Sequence, residues 1–335
     1  MSYLQMLFYF LVFYLAVLLI FFIFKRVKFT SRQALLLGIG ASAVGIIVAN
    51  FMTNKYQIFI VAILFAINVV FFWTIYNVLH FKYSEDHEHG YKSGIYFLIS
   101  PVFSTILAPL AGTVVEMFGY HTLFISSLFL YIIPVFLLLR IPSFEFKFNT
   151  FKAIRIMEHR VLITMQGYIF MLSYNIIPIF TLFYINTPGQ LGNFFGYLAI
   201  LSAVTAVINS KISDRLKKRA FFFYFFNTIN SISYIPLAMA SSLVGWSLFV
   251  GISNLTYGLS NPFNFALTLD HREGDIVDTM VAREVYLNLG RVIMIVVALI
   301  VFLFTQSLHM ALLVSVLISF AYPLYAWKEK VYLKK

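Results

Sequence analysis

The chain has 335 residues, of which 61% are hydrophobic and 11% are charged. Charged residues make up about a quarter of an ordinary soluble domain, so this composition excludes a soluble multidomain enzyme. It also excludes intrinsic disorder, because chains that stay unfolded are poor in apolar side chains. The absence of cysteine excludes disulfides, thiolate chemistry and cysteine-based metal clusters.

Apolar runs long enough to cross a bilayer recur along the whole chain. A hydrocarbon core of about 30 Å takes roughly 20 helical residues to cross. The first run is interpreted as a retained helix, since no basic segment precedes it and no small-residue cleavage site follows it. We predict an all-α polytopic membrane protein with eleven transmembrane helices, near residues 3–24, 34–52, 58–79, 94–115, 121–139, 161–186, 193–209, 220–240, 243–263, 285–306 and 309–327.

The basic residues give the orientation of these helices. Of the 24 Lys and Arg residues, all except Lys55 fall in the loops of one side or in the tail that follows the last helix. Cytoplasmic loops are rich in Lys and Arg, so we predict a plasma-membrane protein with a cytoplasmic C-terminus and an external N-terminus. The net charge of +11 then needs no nucleic-acid partner, because the bases set the topology and contact anionic membrane lipid.

Weak internal similarity indicates two repeated halves with five and six helices. Residues 86–90, after the third helix, read Asp-His-Glu-His-Gly, and residues 270–274, after the ninth, read Asp-His-Arg-Glu-Gly. Asn68 and Asn254 have nearly the same offset in the two helices themselves. The sixth helix lacks a partner, which would have to precede the first residue. The predicted domains are a first half, a linker with the Phe and Lys side chains of an interfacial segment, and a second half, at residues 1–140, 141–160 and 161–335.

One loop carries a resemblance to a known family. Residues 210–219 read Ser-Lys-Ile-Ser-Asp-Arg-Leu-Lys-Lys-Arg, which is similar to the Asp-Arg loop motif of the major facilitator superfamily (MFS) of secondary transporters. Ser210 and Lys217 replace the glycines of that motif. The family plan of two six-helix halves covers nearly the whole chain, minus the first helix. The resemblance implies an MFS-like fold and transport by alternating access.

A proline- and glycine-rich stretch in the predicted fourth helix strengthens the resemblance. The sequence Ala-Pro-Leu-Ala-Gly at residues 108–112, continuing to Gly119, looks like the fifth helix of the family's exporters. Small residues allow helices to approach closely, so we predict that Pro109, Gly112 and Gly119 serve helix packing. The same likeness suggests efflux.

Polar side chains inside the predicted helices mark a candidate substrate cavity. Asn254, Tyr257 and Asn261 share one face of the ninth helix. Such residues either line a pore or hold helices together, and the sequence leaves both open. Arg291, about one turn inside the inner boundary, either extends to the interface or binds an anionic solute. The predicted lining is Asn68, Trp73, Asn77, Gln166, Tyr168, Asn175, Asn254, Tyr257, Asn261, Asn288 and Arg291.

Charged residues on the cytoplasmic side suggest a gate. Asp214 could accept hydrogen bonds from the N-terminal amides of the helix that begins near Thr279, as the resemblance implies; alternatively, its loop only sets topology. Glu284 lies two helical turns before Arg291 and could join the closure. The predicted cytoplasmic gate is Asp214, Arg215, Arg219, Arg283 and Glu284.

No catalytic motif of the common membrane hydrolases or nucleotide-binding proteins occurs in the sequence. His80 and residues 86–89 form either a solvated turn or a metal site, and we predict no metal and no cofactor. The leading hypothesis is a secondary transporter of a small amphipathic or apolar solute, with a proton or sodium ion as candidate coupling ion. The alternatives are a membrane-embedded enzyme for lipid-linked substrates and a non-transporting remnant.

Overall fold

The computed structural model describes residues 3–82, 89–215, 219–270 and 274–331, and it describes side-chain surroundings for these residues except 89–97, 209–215, 219, 266, 269–270 and 308. Most of this part of the chain is helical. The helices before the second half are α1 (Tyr3–Ile23), α2 (Ser31–Asn50), α3 (Ile58–Asn68), α4 (Thr74–Lys82), α5 (His89–Leu130), α6 (Ile132–Arg140) and α7 (Thr150–Ile156). They are followed by α8 (Arg160–Met171), α9 (Ile177–Thr181), α10 (Pro188–Arg215), α11 (Arg219–Ala238), α12 (Leu243–Asp270), α13 (Ile276–Thr305), α14 (Leu308–Ser319) and α15 (Ala321–Lys328).

Local sequence explains several helix ends. Thr30 caps α2: its hydroxyl accepts a hydrogen bond from the Gln33 backbone N–H at 3.2 Å, and the Gln33 side chain accepts one from the Thr30 N–H at 3.0 Å. This reciprocal capping box satisfies two helix N–H groups that have no partner inside the helix. Ser307 caps α14 in a similar way, accepting a hydrogen bond from Met310 N at 3.3 Å.

The eleven predicted transmembrane helices all have counterparts. Eight segments of the described residues are long and apolar enough to cross a membrane. One of them, Leu98–Arg140, has 43 residues, or about 65 Å of helix, which is enough for two crossings. Gly119, with φ 81° and ψ 169°, interrupts it between the predicted fourth and fifth helices. Helices α11 and α12 lie at the predicted eighth and ninth positions, so the fold class is confirmed.

Two helical pairs are joined by a π-helical turn. Val69–Trp73 connects α3 to α4, and Leu172–Ile176 connects α8 to α9. A π-turn contains one residue more than an α-helical turn and is common at functional sites. Both turns lie in helices that the sequence assigned to the cavity.

The linker forms a small β-ribbon with the turn between α1 and α2. Strand β1 (Lys28–Thr30) pairs antiparallel with β2 (Glu145–Lys147), and Phe29 lies opposite Phe146. One face of the ribbon carries a group of stacked rings, here called the phenylalanine cluster: Phe21, Phe24, Phe29, Phe71, Phe146 and Phe148. The linker phenylalanines Phe146 and Phe148 are therefore buried in protein, whereas the sequence suggested an interfacial segment.

The chain divides into two compact units, each described here by itself. The first consists of Met1–Tyr83, Phe118–Thr164 and His271–Ile295, and the second of Ser84–Met117, Met165–Asp270 and Val296–Lys335. Helices α5 and α13 contribute to both units. The units group residues that touch in space, whereas a repeat is a relation along the chain, so the predicted halves stay a prediction.

Candidate functional site

Four polar side chains of α13 form a buried group, here called the α13 charge cluster: Arg283, Glu284, Asn288 and Arg291. Arg283 donates a hydrogen bond from Nη1 to Glu284 Oε1 at 3.0 Å, and Arg291 Nη1 lies 3.9 Å from Glu284 Oε2. Arg291 also donates to Asn288 Oδ1 at 2.9 Å. Each of the four is at most 9% exposed. Two guanidinium groups face one carboxylate, so positive charge is in excess.

An aromatic ring from α1 covers the cluster. The guanidinium carbon of Arg291 lies 5.3 Å from the ring centre of Tyr14, which is 4% exposed. A cation over a desolvated aromatic face is attracted by the ring quadrupole, by about 2 kcal/mol. Tyr14 belongs to the predicted first half and Arg291 to the second, and both lie in the first unit. Sequence analysis missed Tyr14, since nothing along the chain links the two helices.

Predicted gate and cavity residues thus meet in this cluster. Arg283 and Glu284 were assigned to the gate, and Asn288 and Arg291 to the cavity. The remaining gate residues, Asp214, Arg215 and Arg219, have side chains outside the described part of the chain.

Amide side chains connect four helices in the second unit. Gln166 Nε2 donates to the hydroxyl of Tyr322 at 3.0 Å and to the backbone oxygen of Asn264 at 3.1 Å. Asn227 and Asn264 exchange amide hydrogen bonds of 2.9 and 3.1 Å, and Tyr322 donates to Asn264 Oδ1 at 3.0 Å. Buried amides with satisfied partners hold helices together. Of this network, only Gln166 was predicted as a site residue.

The second π-turn borders a small cavity. Ser173 and Tyr174 of the turn, Phe194 of α10, and Asn254 and Tyr257 of α12 contribute to its wall. The cavity volume is ≈ 20 Å³, enough for a water molecule but not for a solute. Asn254 Oδ1 also accepts a hydrogen bond from the Ser202 hydroxyl at 2.7 Å.

The other predicted lining residues do not come together at one place. Asn68 donates to the backbone oxygen of Gly38 at 3.0 Å, so its amide ties α3 to α2. Trp73 is 46% exposed, and Asn77 and Tyr168 are buried. Asn175 and Asn261 are half-buried. The first unit holds Asn68, Trp73, Asn77, Asn288 and Arg291, and the second unit holds the other six residues.

Glycines allow α5 and α10 to cross closely. A Cβ on Gly112 would lie 2.5 Å from the backbone oxygen of Pro188 and 3.0 Å from Gly192 Cα, and one on Gly196 would lie 2.7 Å from Pro109 Cγ. At Gly119 an added Cβ would meet nothing within 4 Å, so the glycine there serves the positive φ instead.

Neither a metal site nor the predicted His-acid cluster is found among the described side chains. No group of three or more His, Asp or Glu in this part of the chain could hold a metal ion. Of the predicted cluster, residues 86–88 and the side chain of His89 lie outside the described residues.

Two solved structures resemble this one along nearly the whole chain. A crystal structure of a variant of the E. coli fucose:proton symporter FucP gives a TM-score of 0.64 at 13% identity, covering 97% of this chain and 89% of that chain. A crystal structure of a POT family transporter in complex with 5-aminolevulinic acid gives 0.66 at 13% identity, covering 98% and 87%. At such identity the likeness shows the fold alone. No curated protein gives a significant match.

The sequence profile of the Major Facilitator Superfamily matches residues 1–281, which is most of the chain. This match confirms the resemblance drawn from the loop at residues 210–219 and the stretch at 108–112. Together with the apolar helices it identifies a multi-pass integral membrane protein. The chain belongs to the Major Facilitator Superfamily.

Proposed function

We propose that this protein is a secondary active transporter, working by alternating access, for a small amphipathic solute that carries an anionic group. Family membership supports secondary transport in general. The observation that carries the choice of solute is the excess positive charge of the α13 charge cluster.

Buried charge is costly in a membrane protein and usually has a function. In the α13 charge cluster, Glu284 balances only one of the two guanidinium groups. A carboxylate or phosphate on the solute would balance the other, and the planar guanidinium can bind such a group through two parallel hydrogen bonds. The apolar remainder of the solute would contact the aromatic and aliphatic side chains that dominate the helices.

The cluster also offers a way to couple transport to protons. An anionic solute at Arg291 would compete with Glu284 for the guanidinium and leave that carboxylate free to take up a proton. Solute and proton would then cross together, which favours symport over the efflux suggested by the exporter-like stretch. The first similar structure is a proton symporter by name, which agrees with a proton as coupling ion.

A thermal-unfolding screen of the purified protein tests the choice of solute. The probes are small amphipathic carboxylates, each paired with its uncharged amide. A ligand that binds the folded state raises the apparent Tm, so we expect stabilisation by at least one carboxylate and not by its amide. Arg291→Lys should abolish this shift with little effect on the Tm without ligand, because an ammonium lacks the planar fork. Equal shifts from carboxylate and amide would contradict the proposal.

Proton coupling is tested in sealed proteoliposomes with a carboxylate from that screen. Its inward movement should acidify the lumen in the parent protein, as reported by a trapped pH dye. Glu284→Gln should bind the carboxylate without acidifying the lumen. Acidification by this variant at the parental rate would remove Glu284 from the mechanism.

A further inference from the structure

The linker between the predicted halves, residues 141–160, is attached to two different parts of the first unit. We call it the strap. At its start, the strap pairs with the α1–α2 turn: Ser31 N donates to Phe144 O at 2.8 Å, and β2 pairs with β1. Phe146 is 7% exposed and Phe148 is fully buried in the phenylalanine cluster. This attachment combines ladder hydrogen bonds with two buried aromatic rings, so it is firm.

Helix α7 of the strap then contacts the first turns of α13. Lys152 Nζ lies 2.8 Å from Asp278 Oδ2, and the Tyr286 hydroxyl donates to Ile154 O at 3.1 Å. Ile154 and Met157 are partly buried against a small apolar group that includes Tyr286. This second attachment is smaller and depends on one ion pair.

The ion pair is exposed on one side only. Asp278 is 3% exposed, whereas 62% of the Lys152 side chain is accessible to solvent. The hydrogen bond to Asp278 and its charge raise the pKa of Lys152 above its ordinary value of 10.5, with a smaller contribution from Asp275, so the amine stays protonated in the cell. Ion pairs with a solvated partner are weak and are screened by salt. The contact is therefore easily broken without unfolding its surroundings.

We propose that the strap is a latch: it stays fixed to the α1–α2 turn and reversibly holds the beginning of α13 through the Lys152–Asp278 ion pair. Asp278 precedes Glu284 by six residues, about 9 Å along the helix. Releasing it frees the segment that carries the α13 charge cluster, so latch opening sets how often that end of α13 moves. The inference rests on the proposed alternating access only for its role in transport, since the latch can be measured without any solute.

The chain contains no cysteine, so a single introduced thiol reports the opening of α13. Ala282 of α13 is fully buried. The thiol of an Ala282→Cys variant in nanodiscs should react with N-ethylmaleimide only while that part of the helix is released. We expect Lys152→Gln and Asp278→Asn each to raise the labelling rate by about two- to fivefold, as for loss of a weak ion pair. Raising the salt concentration should speed labelling in the parent and leave both variants unchanged.

Matched variants separate the latch from other effects. Lys152→Arg keeps the charge and should label at the parental rate. Lys147→Gln removes a charge from β2 of the same strap and should have no effect. An Ala326→Cys reporter, fully buried in α15, should label slowly throughout. Unchanged labelling of Ala282→Cys in Lys152→Gln would overturn the proposal. So would equally fast labelling in Lys147→Gln, or a parallel rise at Ala326→Cys, which would mean general loosening.

Discussion

Replacing Gly112 by alanine should weaken the crossing of α5 and α10. The new Cβ would meet three backbone atoms: Pro188 O at 2.5 Å, Gly192 Cα at 3.0 Å and Gly189 Cα at 3.2 Å. Ordinary contacts of this kind are at least about 3.4 Å, and backbone atoms cannot turn aside as a flexible side chain can. The two helices must therefore separate by several tenths of an ångström. Overpacking of this kind costs about 1–3 kcal/mol.

An opposing effect has to be subtracted. Alanine is favoured over glycine inside a helix by roughly 0.5–1 kcal/mol. The net expectation for Gly112→Ala is a loss of up to about 2 kcal/mol, with the clash outweighing the gain. Gly40 of α2 is the matched control, because a Cβ there would meet nothing within 4 Å. Gly40→Ala keeps only the helix gain and should stabilise the protein by about 0.5–1 kcal/mol.

The two variants and the parent are compared by reversible unfolding in mixed micelles, with the transition followed by tryptophan fluorescence. The sign of the difference is the result that matters, since the same substitution is expected to act in opposite directions at the two positions. A Gly112→Ala protein at least as stable as the parent would refute the argument from close approach. Destabilisation by Gly40→Ala would refute the assumption that an open site costs nothing.

Three further outcomes are expected. Phe148→Ala should destabilise the protein by about 3–5 kcal/mol by emptying a fully buried ring site, whereas Phe151→Ala, at a ring that is 55% exposed, should change stability far less; similar losses in unfolding assays would argue against the phenylalanine cluster as a core. Asn227→Ala should cost about 1–3 kcal/mol because the buried amide of Asn264 loses its partner, and a neutral effect would mean that water replaces it. A tag at residue 1 should be labelled on intact cells; labelling only after permeabilisation would contradict the predicted external N-terminus.

The sequence predicts the membrane fold well because the bilayer imposes a length and a composition on each crossing. It predicts less about which polar residues meet. Periodicity indicates that Asn254 and Tyr257 share a face of α12, but it cannot identify the helix that this face contacts. The pairing of Asn227 with Asn264 depends on the packing of α11 against α12, and the ring of Tyr14 over Arg291 depends on helices from opposite ends of the chain.

Two local features also escaped prediction for physical reasons. A π-turn needs one additional residue in an otherwise apolar helix, which leaves no mark on hydropathy. The β-ribbon depends on a three-residue strand at Lys28–Thr30, too short for an alternating pattern to stand out. The linker phenylalanines looked interfacial because their composition suits a membrane surface equally well. Only the position of Phe29 and Phe71 reveals that they enter a protein core.

The π-turn at Val69–Trp73 fixes the rotational phase of α4 relative to α3. Successive residues of an α-helix are about 100° apart. Deleting one residue inside the turn would restore regular α-helix and rotate everything after it by that angle. Ile75 and Val78, both fully buried, would then leave the interior, while Val61 and Ala62 of α3 kept their places. A single-codon deletion here should thus be far more damaging than most substitutions, and related sequences can be expected to conserve spacing at this point more strictly than residue identity.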